Sequence, residues 1–171
     1  MNNIILIGYM GCGKSSLGRR LSDAGKAEFF DTDAWIEGLA GCCVSEIFAR
    51  RGEAVFRQME TECLVHLKHQ KEGKVIAVGG GLPLRKQNRR LLKALGKVIY
   101  LKASPETVWE RIKNDTKRPL LQTPDPQHTI RQMMGDREEA YLAAADRVIL
   151  VDDKSMEEVT GELLKLLEEM V

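Results

Sequence analysis

The chain is 171 residues long, with 43% hydrophobic and 30% charged residues, values that suit one globular domain and exclude a disordered or fibrous protein. Its 26 basic and 25 acidic residues leave a net charge of +1, without the basic surplus of a nucleic-acid binder. Any anion site must therefore be built locally, from a few arginines or backbone amides. No apolar run approaches the ~18 residues of a membrane span, and no signal-like segment opens the sequence. Cys12, Cys42, Cys43 and Cys63 make no C-x-x-C pair, so we expect reduced thiols in a soluble, cytoplasmic protein.

The first apolar run, NIILI at 3–7, predicts a short strand. GYMGCGKS follows at 8–15, and G-x-x-x-x-G-K-S between a strand and a helix is the spacing of a phosphate-binding loop. Gly8 and Gly13 let the backbone curl so that successive amides face a phosphate, and the helix start adds its dipole. Lys14 is placed to reach the β- and γ-phosphates and Ser15 to ligate magnesium. Cys12 lies inside the loop, where alkylation would block a nucleotide, although buried thiols are usually inert.

A second strand is expected at 28–31, and Asp31 and Asp33 stand two apart at its end, so both carboxylates can face one direction. One suits a magnesium ion held through water, the other the proton of an attacking hydroxyl. The alternative is that Asp33 caps the helix AWIEGL. The N-K-x-D and D-x-x-G motifs of GTPase switches are absent, as is the Asp-Glu strand end of motor ATPases. The pair fits phosphoryl transfer to an alcohol.

Helices are expected from Lys14, Asp33, Val44 and Glu53. In the last of these, FRQME sets Arg57 and Glu60 three apart, close enough to pair, although such pairs are usually exposed and weak. His66 and His69 share a helix face but have no third ligand nearby. A strand at 75–78 runs into three glycines, which let a ligand approach backbone amides; the alternative is a tight turn without a ligand. A helix from Leu84 carries RKQNRR, which reads as a solvated face because no aromatics interleave.

A strand at 98–101 and a helix from Pro105 lead to KNDTKRPLLQTPDPQ at 113–127, a polar stretch with three prolines and no periodicity. Such a loop fits a lid or binding loop better than a plain connection. A helix from Asp125, a strand at 147–151 and a helix from Ser155 complete the chain. Ser155 and Glu158 have the spacing of a capping box, and Met156, Val159, Leu163, Leu166, Leu167 and Met170 form one apolar stripe. Trp35 and Trp109 read as packing residues. Strands alternating with helices imply βαβ units and a parallel sheet covered on both faces.

GYMGCGKSS, DTD, FRQME, GGG, RPLL and REEAY, in this order and spacing, resemble the shikimate kinases of the nucleoside monophosphate kinase-like phosphate-loop group, from Ile4 to the final helix. The resemblance implies an α/β three-layer kinase fold in one domain over 1–171. Its five-stranded parallel sheet, in the order 2-3-1-4-5, is flanked by helices, with a lid at about 113–126. It implies ATP-dependent phosphorylation of the 3-hydroxyl of shikimate, giving shikimate 3-phosphate and ADP in aromatic amino-acid biosynthesis by way of chorismate.

The same resemblance implies that Gly11, Cys12, Gly13, Lys14, Ser15 and Ser16 hold the nucleotide, with Arg111 stacking on adenine. Arg118 is the lid arginine over the phosphates, and Lys14, Asp33 and Arg118 are the catalytic set. Asp33, Arg57, Gly79, Gly80, Gly81 and Arg137 hold shikimate, Asp33 at the ring hydroxyls and the two arginines at the carboxylate, with Glu60 orienting Arg57. Mg2+ is held by Ser15 and, through water, by Asp31. The expected partners are ATP and shikimate, without nucleic acid or membrane, and the expected state is a monomer. Val78 departs from the family pattern, standing where many relatives have a hydroxyl residue. The rival readings are a related small-molecule kinase such as a gluconate kinase, and a nucleotide-binding regulatory module that has lost its acceptor.

Overall fold

The apolar run NIILI forms β1 (Asn3–Ile7), and all of it is buried, as befits a strand covered on both faces. The computed structural model describes residues 3–24, 27–71, 73–116 and 122–169. After β1 come α1 (Lys14–Asp23), β2 (Glu28–Asp31), α2 (Thr32–Ala40), α3 (Val44–Arg51), α4 (Glu53–Lys68) and β3 (Lys74–Ala77). A 3-10 turn (Leu82–Leu84) then leads to α5 (Lys86–Leu95), β4 (Gly96–Lys102), α6 (Pro105–Ile112), α7 (Pro126–Ala144), β5 (Arg147–Leu150) and α8 (Met156–Glu169).

The strands form one five-stranded parallel sheet in the order β2-β3-β1-β4-β5, as expected. From β1 the chain moves to β2 on one side, while from β3 it moves to β4 on the other. Right-handed crossovers therefore put α1 on one face of the sheet and α5 on the opposite face. Accordingly α8 packs on α1, and α4 and α7 pack on α5. β1 and β3 are neighbours whose outgoing connections part in opposite directions. Ligands of open α/β sheets bind in the crevice at such a point, beyond the carboxyl ends of the strands.

Several boundaries differ from expectation. β3 is Lys74–Ala77 and not 75–78, although the Val78 amide still donates to Leu6 O at 3.2 Å. Pro83 lies in the 3-10 turn, so α5 starts at Lys86 and not at Leu84. The capping box of α8 is present, with Ser155 N donating to Glu158 and Glu158 N to Ser155 Oγ. Trp35 stacks on His66 at 5.0 Å, and Trp109 packs against the core. No metal-ligand cluster occurs among the described residues. Arg118 and the rest of RPLL lie outside the described residues, so the central part of the expected lid does too.

The start of the sheet is held by one buried side chain. Asn3 Nδ2 donates to Leu95 O at 3.0 Å, and its Oδ1 accepts from Lys74 N at 3.0 Å, joining β1 to β3 and to the end of α5. α5 passes into β4 without a connecting loop, which brings Gly96 so close that a Cβ there would lie 2.2 Å from the backbone oxygen of Asn3. The neighbour is backbone at the centre of the sheet and has no room to retreat. Gly96→Ala should lower stability by about 3 kcal/mol, the upper end for overpacking, as a fall in the urea midpoint. An unchanged midpoint would contradict this packing.

Candidate active site

The loop after β1 needs glycine where its backbone leaves ordinary space. Gly13 precedes α1 in the left-handed region (φ 97°), and Gly8 (φ 146°) passes so near Leu101 that a Cβ would lie 2.6 Å from its backbone oxygen. Lys14 Nζ turns back onto this loop, donating to Gly8 O at 2.7 Å and Tyr9 O at 3.1 Å. Gly11, Gly13, Lys14, Ser15 and Ser16 line a cleft of about 300 Å³ that also takes in Asp31, Asp33, Gly79 and Gly80. Cys12 is buried beneath the loop, with its Sγ 3.6 Å from Lys14 Nζ. Arg111 reaches the loop from α6, donating to Gly11 O at 3.0 Å.

The two carboxylates of DTD are used differently. Asp31 caps α2: its Oδ1 accepts from Asp33 N at 3.0 Å and Ala34 N at 3.2 Å. Its Oδ2 accepts from Ser15 Oγ at 3.0 Å. The cap that might have fallen to Asp33 thus belongs to Asp31, because α2 starts at Thr32. Asp33 is left facing the cleft. Its Oδ1 is the one buried side-chain oxygen among the described residues without a hydrogen-bond partner. Burial, and then the neighbouring Asp31, push its pKa up to about 6, against the opposing pull of Lys14 and Arg57.

Across the cleft, the glycines after β3 admit charged groups against the backbone. A Cβ on Gly81 would lie 2.4 Å from the Arg57 guanidinium, and one on Gly80 would lie 3.2 Å from Arg137. Arg57 is no surface residue: it contacts both oxygens of Glu60 at 2.9 and 3.0 Å, and Glu60 is fully buried. Burial raises the Glu60 pKa to about 7 while Arg57 opposes the rise, and Glu60 in turn helps hold Arg57 charged. Arg137 sits over the ring of Tyr9, 5.4 Å from its centroid.

Lys14, Ser15, Asp31, Asp33, Gly79 and Gly80 are thus brought around one cleft, with Arg57 and Arg137 beside its glycine loop. Two contacts were not anticipated. Thr32 Oγ1 accepts from Gly79 N at 3.1 Å, and Tyr141 Oη donates to Gly80 O at 2.7 Å. The sequence signals were a hydroxyl between two aspartates, and a tyrosine four residues after Arg137 on one helical face.

The family model of shikimate kinases matches residues 10–168. The chain belongs to the shikimate kinase family. It is similar to the shikimate kinase of Synechococcus sp. (strain JA-3-3Ab), with 42% identity over 94% of this chain and 84% of that protein. The shikimate kinase of Pelotomaculum thermopropionicum is 46% identical over 86% of each chain. Among solved structures, the shikimate kinase of Acinetobacter baumannii in complex with shikimate superposes with a TM-score of 0.91 at 34% identity, covering 99% of this chain and 94% of that one.

The Arg57–Glu60 pair makes a prediction about stability and pH. A carboxyl whose folded pKa lies above its unfolded value makes a contribution to stability that is fully present below about 4.5 and is lost as pH rises through the folded pKa of about 7. Without Arg57 the Glu60 pKa climbs further. Arg57→Ala should therefore cost little at pH 5 and on the order of 3 kcal/mol at pH 8, read from urea unfolding at both values. A deficit independent of pH would mean that the pair is not what holds the buried carboxylate.

Proposed function

We propose that the chain transfers the γ-phosphoryl group of ATP to the 3-hydroxyl of shikimate, releasing ADP and shikimate 3-phosphate for aromatic amino-acid biosynthesis. The observation that carries this reading is the buried, unpartnered Oδ1 of Asp33, aimed at Gly79 where the glycine loop meets the phosphate loop. A buried acceptor without a donor is costly unless a ligand supplies one. Shikimate offers three ring hydroxyls for Asp33 and one carboxylate, which suits the planar forks of Arg57 and Arg137.

In this reading the 3-hydroxyl oxygen attacks the γ-phosphorus, its proton passes to Asp33, and the bond from phosphorus to the β–γ bridging oxygen breaks as ADP leaves. Lys14 leaves the Gly8 and Tyr9 carbonyls for the β- and γ-phosphate oxygens, with Gly11, Cys12, Gly13 and Ser16 lining their path. Arg111 stacks on adenine, and Arg118 reaches over the phosphates from the lid at about 113–126. Shikimate kinases use ATP with a divalent metal; we assign Mg2+, held by Ser15 Oγ and, through water, by Asp31. These are hard oxygen donors, which suit that ion, and Ser15 Oγ already donates to Asp31 Oδ2 at 3.0 Å at the edge of the cleft. When bound, it would neutralise charge on the β- and γ-phosphates.

No described helix is long and apolar enough to cross a membrane, and the four cysteines form no disulfide, in keeping with the cytoplasm. We take the working unit to be a monomer in one domain.

A coupled assay for ADP tests the reading. Release should depend on shikimate and stay at background with gluconate or nucleoside monophosphates; release driven by gluconate instead would overturn it. Asp33→Asn keeps the shape but removes the base, and should lower kcat by ~10²–10⁴-fold while the KM for ATP changes by less than about threefold. An unchanged kcat would remove Asp33 from the role of base.

A further inference from the structure

Two buried hydroxyls that take no part in the steps above hold the glycine loop. Thr32, the middle residue of DTD, is wholly buried, and its Oγ1 accepts the Gly79 amide at 3.1 Å. Tyr141, on α7, is 1% exposed, and its Oη donates to the carbonyl of Gly80 at 2.7 Å. We propose that Thr32 and Tyr141 are positioning residues for shikimate, which fix the glycine loop and so set its remaining amides and both arginines at the height the acceptor needs. The inference rests on the reading of this cleft as the shikimate site.

Glycines are the residues least able to hold a loop in place themselves, because each loses the most backbone freedom on ordering. The fixing must come from outside the loop, and these two bonds supply it from different helices. Thr32 shares its turn with Asp31 and Asp33, so it ties the acceptor-facing carboxylate to Gly79. Tyr141 lies one helical turn after Arg137, and the two side chains interact. Its hydroxyl thereby links the loop to an arginine assigned to the substrate carboxylate.

Both anchors are themselves held. The Tyr141 ring packs on Tyr100 at 5.1 Å, the Tyr100 hydroxyl donates to Glu138 at 2.6 Å, and Glu138 also accepts from Lys102 at 2.5 Å. Burial pushes the Tyr141 phenol up to about 12, so it remains a donor through the working range. With the Gly79 amide committed to Thr32, the amides left without a partner in the loop, among the described residues, are those of Gly80 and Gly81. They stand beside Arg137 and Arg57 respectively.

Kinetics of the full chain with Mg-ATP and shikimate test this, with Tyr141→Phe, Thr32→Val and Thr32→Ser compared to wild type. Wild-type turnover of shikimate decides the functional reading itself; without it both readings fall, and with it only the positioning is at stake. Tyr141→Phe and Thr32→Val should each raise the KM for shikimate about tenfold, the scale of one lost hydrogen bond. The KM for ATP should stay within about twofold, and Thr32→Ser, which keeps the oxygen, should stay within about twofold of wild type for shikimate. Equilibrium binding of shikimate without nucleotide should weaken in the same order. The positioning role is overturned if both KM values rise together, if Thr32→Ser is as impaired as Thr32→Val, or if shikimate KM does not change. Should Thr32→Val fail to fold, Tyr141→Phe, which keeps the buried ring, decides.

Discussion

The site depends on the parallel register of β1 with β3, in which Ile4, Ile5 and Leu6 stand opposite Val75, Ile76 and Ala77. Because the strands run the same way and end together, the phosphate loop and the glycine loop leave the sheet side by side. A Cβ on Gly80 would lie 3.6 Å from Gly8 O, so the loops touch before any ligand is considered. The bonds of this ladder lie in the buried middle of the sheet, where no water competes for them. The meeting of the two loops is thus as firm as the core itself.

Upon that frame the charges are divided so that few are spent on structure. Asp31 uses one oxygen to cap α2 and the other to accept from Ser15, which leaves Asp33 in the first turn of the same helix, fixed by backbone and free of internal partners. Glu60 does for Arg57 what Asp31 does for Asp33: its buried carboxylate fixes a charged neighbour's direction without filling the cleft. A chain of net charge +1 can in this way bind two anionic substrates, since its cations converge from α1, α4 and α7 onto one place. Burying Glu60 costs stability at neutral pH, as its raised pKa indicates.

The strands and the phosphate loop were legible because each rests on local pattern: an apolar run, glycines at set spacing, a helix start; the order of the strands followed only from the resemblance to shikimate kinases. Arg57 and Glu60 were also legible as a pair, since three residues on a helix place them together. Their burial was not, because it is decided by the loop after β3, which lies far along the chain. The cap that Asp31 gives α2 was not legible for a similar reason. Whether Asp31 or Asp33 caps α2 depends on where the helix starts, a matter of one or two residues that sequence seldom resolves. Thr32 and Tyr141 stood inside quoted motifs, but their bonds to Gly79 and Gly80 span 47 and 61 positions, and no periodicity carries such a contact.

The central claim is that the glycine loop, by holding Arg57 against Gly81, reads the carboxylate of the acceptor while the phosphate loop reads only the nucleotide. Comparing shikimate with its methyl ester as acceptors, in wild type and in Arg57→Gln, tests it directly. In wild type the ester should show a KM at least about tenfold above that of the acid, from the loss of a charge-assisted contact. In Arg57→Gln that ratio should shrink several-fold, with the KM for ATP unchanged between the two proteins. An acid-to-ester ratio that is the same in both proteins would contradict the account, because the carboxylate would then be read somewhere other than beside Arg57.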